Sequence, residues 1–325
     1  MEGTVAENSG GLVVQTQGLS KSYKETDALK GLDLHVPEHS IFGFLGPNGS
    51  GKSTTIKLLL GLISPTAGSA TLFGQDMVKD SLEIRRRVGY LAQDPRFYDN
   101  MTARETMRFR AAFYYSGPKE AVESRISEIL ELVGLGDRAD RSIKGFSGGE
   151  RQRLGIGQAL VNSPDLLILD EPAAALDPMG RRDVLDVMRN LRSQTTVFYS
   201  THILDDVQRV SDTVAILNQG ELIAEAPIGE LLAGTGGTVY TIVLRGDTAE
   251  VQKVVESQDW VDSIDASNTD DGSTWQVNVN DDQAAEAQLM RLVSSDEHVT
   301  VSEFGRREMD LEEVFMGLVE GNNGN

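Results

Sequence analysis

The stretch that most constrains this chain is Gly46-Pro47-Asn48-Gly49-Ser50-Gly51-Lys52-Ser53-Thr54, set between an apolar run, Ile41 to Leu45, and a segment of helical period, Ser53 to Leu62. A strand, a glycine-rich loop and a helix in that order leave few folds open. The glycines let the backbone turn so that its N–H groups wrap phosphate oxygens, and the helix N-terminus adds positive potential. Lys52 supplies a positive charge to the outer phosphates. Ser53 supplies a hydroxyl ligand suited to Mg2+, which prefers oxygen ligands and retains several waters. A lysine at the start of a helix opposes the macrodipole, so a bound anion is the more economical explanation of Lys52.

Two further pieces point at the same phosphate chain. LLILDEP, Leu166 to Pro172, reads as a buried parallel strand with Asp170 and Glu171 at its carboxyl end, where open α/β sheets place their ligands. FSGGERQ, Phe146 to Gln152, reads as a helix start, with Ser147 as N-cap, Glu150 as capping-box partner and a helix running to about Val161. A helix N-terminus carrying Gly148 and Gly149 is also a second anion site, and both readings can hold together.

These residues resemble the ATP-binding-cassette (ABC) ATPases over Leu12 to about Leu232. The glycine-rich loop alone would also suit a kinase, a GTPase or a helicase; Ser147-Gly148-Gly149-Glu150 matches the family's signature and makes the resemblance specific. The resemblance implies an ATPase in which Asp170 holds Mg2+ through water and Glu171 is the general base for the attacking water. Gln93, in GYLAQDP, matches the glutamine loop that touches Mg2+ or water and reports the phosphate state to a membrane partner. His202, in YSTH, matches the switch histidine, and Tyr23, in SKSYKETDAL, the aromatic that stacks on adenine. Asp177 is kept, although Ala173-Ala174-Ala175 stand where relatives often carry small hydroxyl residues. Gly155, Gly157 and Gln158 replace residues that are commonly better helix formers. Each glycine costs about 1 kcal/mol of helix propensity relative to alanine, so packing must hold that helix.

The fold expected is α/β: a P-loop cassette with a parallel core sheet, an antiparallel β subdomain and a helical subdomain, followed by a small α+β ferredoxin-like domain. The cassette is expected over 12–232, after a disordered leader over 1–11, with a linker at 233–238 and the accessory domain over 239–325. Alternating Leu12–Val36 and Thr71–Tyr90 read as the antiparallel strands, Thr102–Val133 as helical with a break near Ser116-Gly117-Pro118, and Ala215–Ala224 as a hairpin. After Gly234-Thr235-Gly236-Gly237 the pattern reads strand 239–244, helix 248–255, strands 260–266 and 274–279, helix 282–293 and strand 298–304. That order is β-α-β-β-α-β. A closing helix capped by Asp310 turns Leu311, Val314, Phe315 and Leu318 to one face. Its LEEVF stretch resembles the C-terminal end of exporter cassettes.

Composition narrows the function classes. No apolar run approaches the roughly 20 residues of a membrane-spanning helix, and no charged-then-apolar leader opens the chain, so a cytoplasmic protein is expected. Cysteine is absent, which excludes disulfides, thiolate metal sites and thiol nucleophiles. Net charge is −20, and residues 236–325 contribute −14 of it. Such a tail should repel nucleic acid, and no nucleic-acid partner is expected. The resemblance implies a head-to-tail pair, a homodimer in the simplest case, because one chain carries one of each motif and the signature of one subunit completes the other's site. It further implies a transmembrane permease as partner, bound at the cytoplasmic face of the membrane, and an exporter ATPase. An importer ATPase and a cassette ATPase without a membrane partner remain as alternatives. A regulatory or dimer-stabilising role is expected of the acidic tail.

Overall fold

Strands buried on both faces form the centre of a parallel sheet. Ile41–Leu45, Leu166–Asp170 and Thr196–Thr201 are buried along their whole lengths. The computed structural model describes residues 11–24, 26–233, 238–269, 272–296, 298–307 and 311–322. Residues 1–10 of the expected leader, the glycines of the expected linker and Asp310 as a helix cap lie outside the described residues. Among those described, two compact units are found, one through Ile228 that also takes in 318–322, and one from Gly229 to Gly317.

In chain order the first unit comprises β1 (Leu12–Tyr23), β2 (Thr26–Leu32), β3 (His35–Pro37), β4 (Ile41–Leu45), α1 (Lys52–Leu59), β5 (Ala67–Leu72), β6 (Gln75–Asp76), α2 (Ser81–Arg87) and β7 (Val88–Leu91). It continues with α3 (Ala103–Ala111), α4 (Lys119–Leu132), α5 (Gly148–Leu160), β8 (Leu166–Asp170), α6 (Pro178–Leu191), β9 (Thr196–Thr201), α7 (Leu204–Val210), β10 (Thr213–Asn218) and β11 (Glu221–Pro227). Strands order as β11-β10-β4-β9-β8-β7, parallel except for β11 at the edge. A second, antiparallel sheet orders as β2-β1-β5-β6, with β3 also paired to β1. Between the sheets, Phe42, Phe44 and Phe198 stack with centroids 5.7 and 5.3 Å apart, joined by Leu32, Leu34, Ile56 and Leu72.

One expectation is corrected here. Thr71–Tyr90 is antiparallel strand only as far as Asp76; α2 comes next, and β7 then pairs parallel with β8 in the core sheet. Ser81–Arg87 is a helix that buries Ile84 alone, so its weak apolar period passed for alternation. Gly89 lets β7, at the edge of that sheet, lie directly against α5: a Cβ there would lie 2.1 Å from the carbonyl oxygen of Ala159. The glycines of α5 are likewise contact points. A Cβ on Gly155 would meet Leu91 Cδ1 at 2.5 Å, and one on Gly149 would meet Gly180 Cα at 3.0 Å. Close packing thus accounts for a helix that propensity alone would disfavour.

The link α8 (Ile228–Ala233) precedes β12 (Thr238–Gly246), α9 (Ala249–Glu256), β13 (Val261–Thr269), β14 (Gly272–Val279), α10 (Asp282–Val293), β15 (Val299–Arg307) and α11 (Leu311–Asn322). The sheet orders as β13-β14-β12-β15 and is antiparallel throughout, the ferredoxin-like arrangement. Alternate residues Tyr240, Ile242, Leu244, Trp275, Val277 and Val279 turn to one face, where they pack with Val251, Val255, Leu289 and Val293 of α9 and α10. On α11, Leu311 is buried and Val314, Phe315 and Leu318 are half-buried between exposed Glu312, Glu313 and Met316.

Gly89→Ala tests the β7–α5 packing. Strand propensity favours alanine, yet the collision with Ala159 should destabilise the chain by about 1–3 kcal/mol. A fall in the urea midpoint at unchanged slope is the expected reading, and an unchanged or higher midpoint would refute the contact.

Candidate functional site

Parallel register decides where the motifs meet. Leu45 lies beside Thr201 and Asp170 beside Ser200, so the carboxyl ends of β4, β9 and β8 stand at one level. The segments leaving these strands all enter one crevice. From β4 comes the loop Gly46–Gly51, from β8 Glu171 and from β9 His202.

The loop is fixed by backbone bonds, Gly46 N donating to Thr201 O at 3.2 Å and Gly220 N to Ser50 O at 2.9 Å. At Gly51 the backbone has φ 111°, and a Cβ would lie 2.6 Å from Ala28 O, so only glycine fits before the helix. Lys52 is buried, and its ammonium donates to Gly46 O at 2.7 Å and Pro47 O at 3.1 Å. It also stands 3.4 Å from Glu171 Oε1.

Glu171 has a left-handed backbone, φ 50°, at a residue with a side chain. Such a conformation costs about 1–3 kcal/mol and persists only where its surroundings impose it. Here the Glu171 N–H is held by Ser200 O at 3.2 Å and Ser200 Oγ at 3.0 Å. Its carboxylate is gripped from both sides, with Lys52 at Oε1 and His202 Nδ1 2.9 Å from Oε2. Asp170 Oδ1 accepts from Ser200 Oγ at 2.7 Å and from Ser53 Oγ at 3.3 Å. Ser200 therefore organises both acids, a role the sequence pattern does not announce. The available signal is a hydroxyl residue ending an otherwise apolar strand just before Thr201-His202.

These groups border a cleft of about 170 Å³ lined by Ala28, Asn48, Gly49, Gly51, Lys52, Ser53, Thr54, Gln93 and Glu171. The other residues singled out from the sequence are elsewhere. Ser147 caps α5, its N–H donating to Glu150 Oε2 at 2.7 Å and its Oγ accepting from Glu150 N at 3.3 Å. Arg138 pairs with Glu150. Gly148 lines a second hollow of about 360 Å³ with Gln93, Arg151, Gln152 and Ala174–Leu176. Gln152 Nε2 donates to Gln93 O at 3.1 Å, tying the signature helix to the glutamine loop. Asp177 is exposed at the start of α6. Tyr23, 45% exposed at the end of β1 under the Lys21 ammonium, does not line the cleft.

The cleft offers an ammonium and a helix N-terminus to an anion, with carboxylates beside them. Among the described residues no group of three or more His, Cys, Asp or Glu could cage a metal. The hydroxyl of Ser53 hydrogen-bonded to Asp170 fits Mg2+ nonetheless, since that ion takes one or two protein oxygens and fills its remaining positions with phosphate oxygens and water.

The family model described as ABC transporter matches residues 29–174. The chain is similar to the uncharacterized ABC transporter ATP-binding protein YxlF of Bacillus subtilis, 37% identical over 94% of this chain and 99% of that one. It is also similar to the daunorubicin/doxorubicin resistance ATP-binding protein DrrA of Streptomyces peucetius, 35% identical over 94% of this chain and 92% of that one. Among solved structures it matches a dimeric ATP-binding cassette in a post-hydrolysis state bound to ADP and Pi, with TM-score 0.60 and 27% identity, over 66% of this chain and 98% of the other. The phosphate-loop cleft and these likenesses agree, and the chain belongs to the ATP-binding proteins of ABC transporters, as an ATP-hydrolysing subunit.

Proposed function

We propose that this chain powers an exporter whose membrane-spanning part is a separate permease, working at the cytoplasmic face of the membrane as one half of a head-to-tail homodimer. The observation that carries the catalytic part is the Glu171 carboxylate, held at the cleft edge between Lys52 and His202. Export is supported by likeness, over nearly the whole length of both chains, to a protein named for resistance to daunorubicin and doxorubicin.

Lys52 and the backbone N–H groups of Gly46–Gly51 bind the β- and γ-phosphates of ATP, and Tyr23 serves the adenine. Ser53, Asp170 through water, and Gln93 would hold Mg2+, which when bound neutralises charge on the phosphate oxygens. Lys52 exchanges its partner Glu171 for phosphate, freeing the carboxylate to orient the attacking water and take its proton. His202 keeps that carboxylate aimed and meets the γ-phosphate. Ser147, Gly148, Gly149 and Asp177, which do not line the cleft of their own chain, meet the second subunit's nucleotide. The second, ferredoxin-like unit regulates or stabilises the dimer.

Five residues after Gln93 begins an exposed aromatic row that runs from Tyr98 through Phe109 to Phe113, 65%, 49% and 68% exposed, with ring centroids 6.2 and 5.3 Å apart. With Phe97 and Met101 beside it, this patch is the dock for a cytoplasmic helix of the permease. Tyr98→Ala with Phe113→Ala should weaken permease binding about tenfold or more and spare ATP affinity. Unchanged binding of the purified permease would reject the dock.

Glu171→Gln keeps shape and removes the base, so turnover should fall about 10²- to 10⁴-fold while ATP stays bound and closed dimers accumulate. Near-normal hydrolysis would sink the base assignment. Ser147→Arg blocks the α5 N-terminus and should abolish ATP-driven dimerisation in sedimentation experiments; an unaffected dimer would sink the head-to-tail arrangement.

A further inference from the structure

Asp206 on α7, only 1% exposed, is a buried charge with no task in binding or hydrolysing ATP. Its Oδ1 accepts from Arg181 Nε of α6 at 2.6 Å. Burial pushes this carboxyl up from its ordinary value, and the Arg181 guanidinium acts against that shift. The remaining charges that bear on it, Asp205 and Arg209, belong to its own helix and oppose one another in sign.

A buried ion pair contributes little to stability, because desolvating both ions offsets their attraction and apolar replacements are often as stable. What it supplies is a fixed distance between two elements. Here both elements lead out of the catalytic cleft. α7 starts at Leu204, immediately beyond the turn made by His202 and Ile203, and that turn is pinned by Ile203 N donating to Thr201 Oγ1 at 3.0 Å. α6 starts at Pro178, at the end of the segment that leaves Glu171, and Arg181 N donates to Asp177 O at 2.9 Å. The contacts close a ring. From Glu171 the chain runs through Asp177 to Arg181, crosses to Asp206, returns to His202 and meets the Glu171 carboxylate again. Ala175 and Asp177, on the outer side of the ring, are exposed.

We propose that Arg181 and Asp206 are positioning residues that set His202 against the Glu171 carboxylate and transmit to it any displacement of the exposed segment 172–177. The proposal rests on the reading of Glu171 as general base. A second subunit pressing on Asp177 would move α6, and the ion pair would carry that movement to α7 and His202.

The test uses the full-length chain carrying Arg181→Met together with Asp206→Leu, which removes both charges and leaves neither ion unpaired. A pair with no role beyond joining two packed helices predicts near-native melting with near-native kcat. Positioning predicts near-native melting with kcat lowered about 10- to 100-fold and KM for ATP within about threefold, the cost of a modest misplacement of a catalytic group. Asp206→Asn is the second variant, close in shape and free of a stranded negative charge, and its kcat should fall at unchanged KM as well. Adding the double substitution to Glu171→Gln should cost less than its full loss in the native background, because both act on the contact between His202 and residue 171. A drop in kcat of less than about tenfold in the double variant, or a full additional loss in the Glu171→Gln background, overturns positioning. Near-native hydrolysis by Glu171→Gln alone would instead overturn the premise, so the two failures are told apart.

Discussion

The register of three buried parallel strands is the constraint on which the site depends. β4, β9 and β8 are buried on both faces and lie in the middle of a sheet covered on both sides. Once Leu45 pairs with Thr201 and Asp170 with Ser200, the phosphate loop, Glu171 and His202 emerge side by side. A slip of one residue would turn Asp170 and Ser200 to the other face of the sheet.

The cleft that results stores unfavourable terms and offsets them locally. Lys52 is a buried ammonium satisfied by two backbone carbonyls and one carboxylate. Glu171 is a left-handed residue whose N–H is held twice by Ser200. Groups held in place this way need little reorganisation when charge changes beside them, which is how preorganised polar sites gain rate. The signature helix has its own compromise, because the glycines that weaken α5 also admit Gly180 and Leu91 at distances a side chain would forbid.

The second unit is built on other terms. Its sheet buries one face around Trp275 and Leu289 with α9 and α10, while the chain from residue 236 onward contributes −14 of the net charge. This unit therefore has an apolar core of its own within a stretch of chain rich in acidic residues.

Much of this was legible in the sequence, because strong periodicity and local chemistry mark elements almost to the residue. Examples are β4 at Ile41–Leu45, α10 at Asp282–Val293 and the Ser147–Glu150 capping box. The phosphate-binding loop, the acids at the end of β8 and the β-α-β-β-α-β order are likewise properties of the one-dimensional pattern, since each comes from spacing along the chain. Long-range pairing is not encoded that way. That β7 lies directly against α5 depends on Gly89 meeting Ala159 on that distant helix. The service of Ser200 to both Asp170 and Glu171, the grip of Lys52 and His202 on one carboxylate, and the bond from Arg181 to Asp206 join residues 25 or more positions apart. Those contacts exist only when strands pair and helices pack, so the tertiary structure decided which of the marked residues share a cleft and which unmarked ones hold them in place.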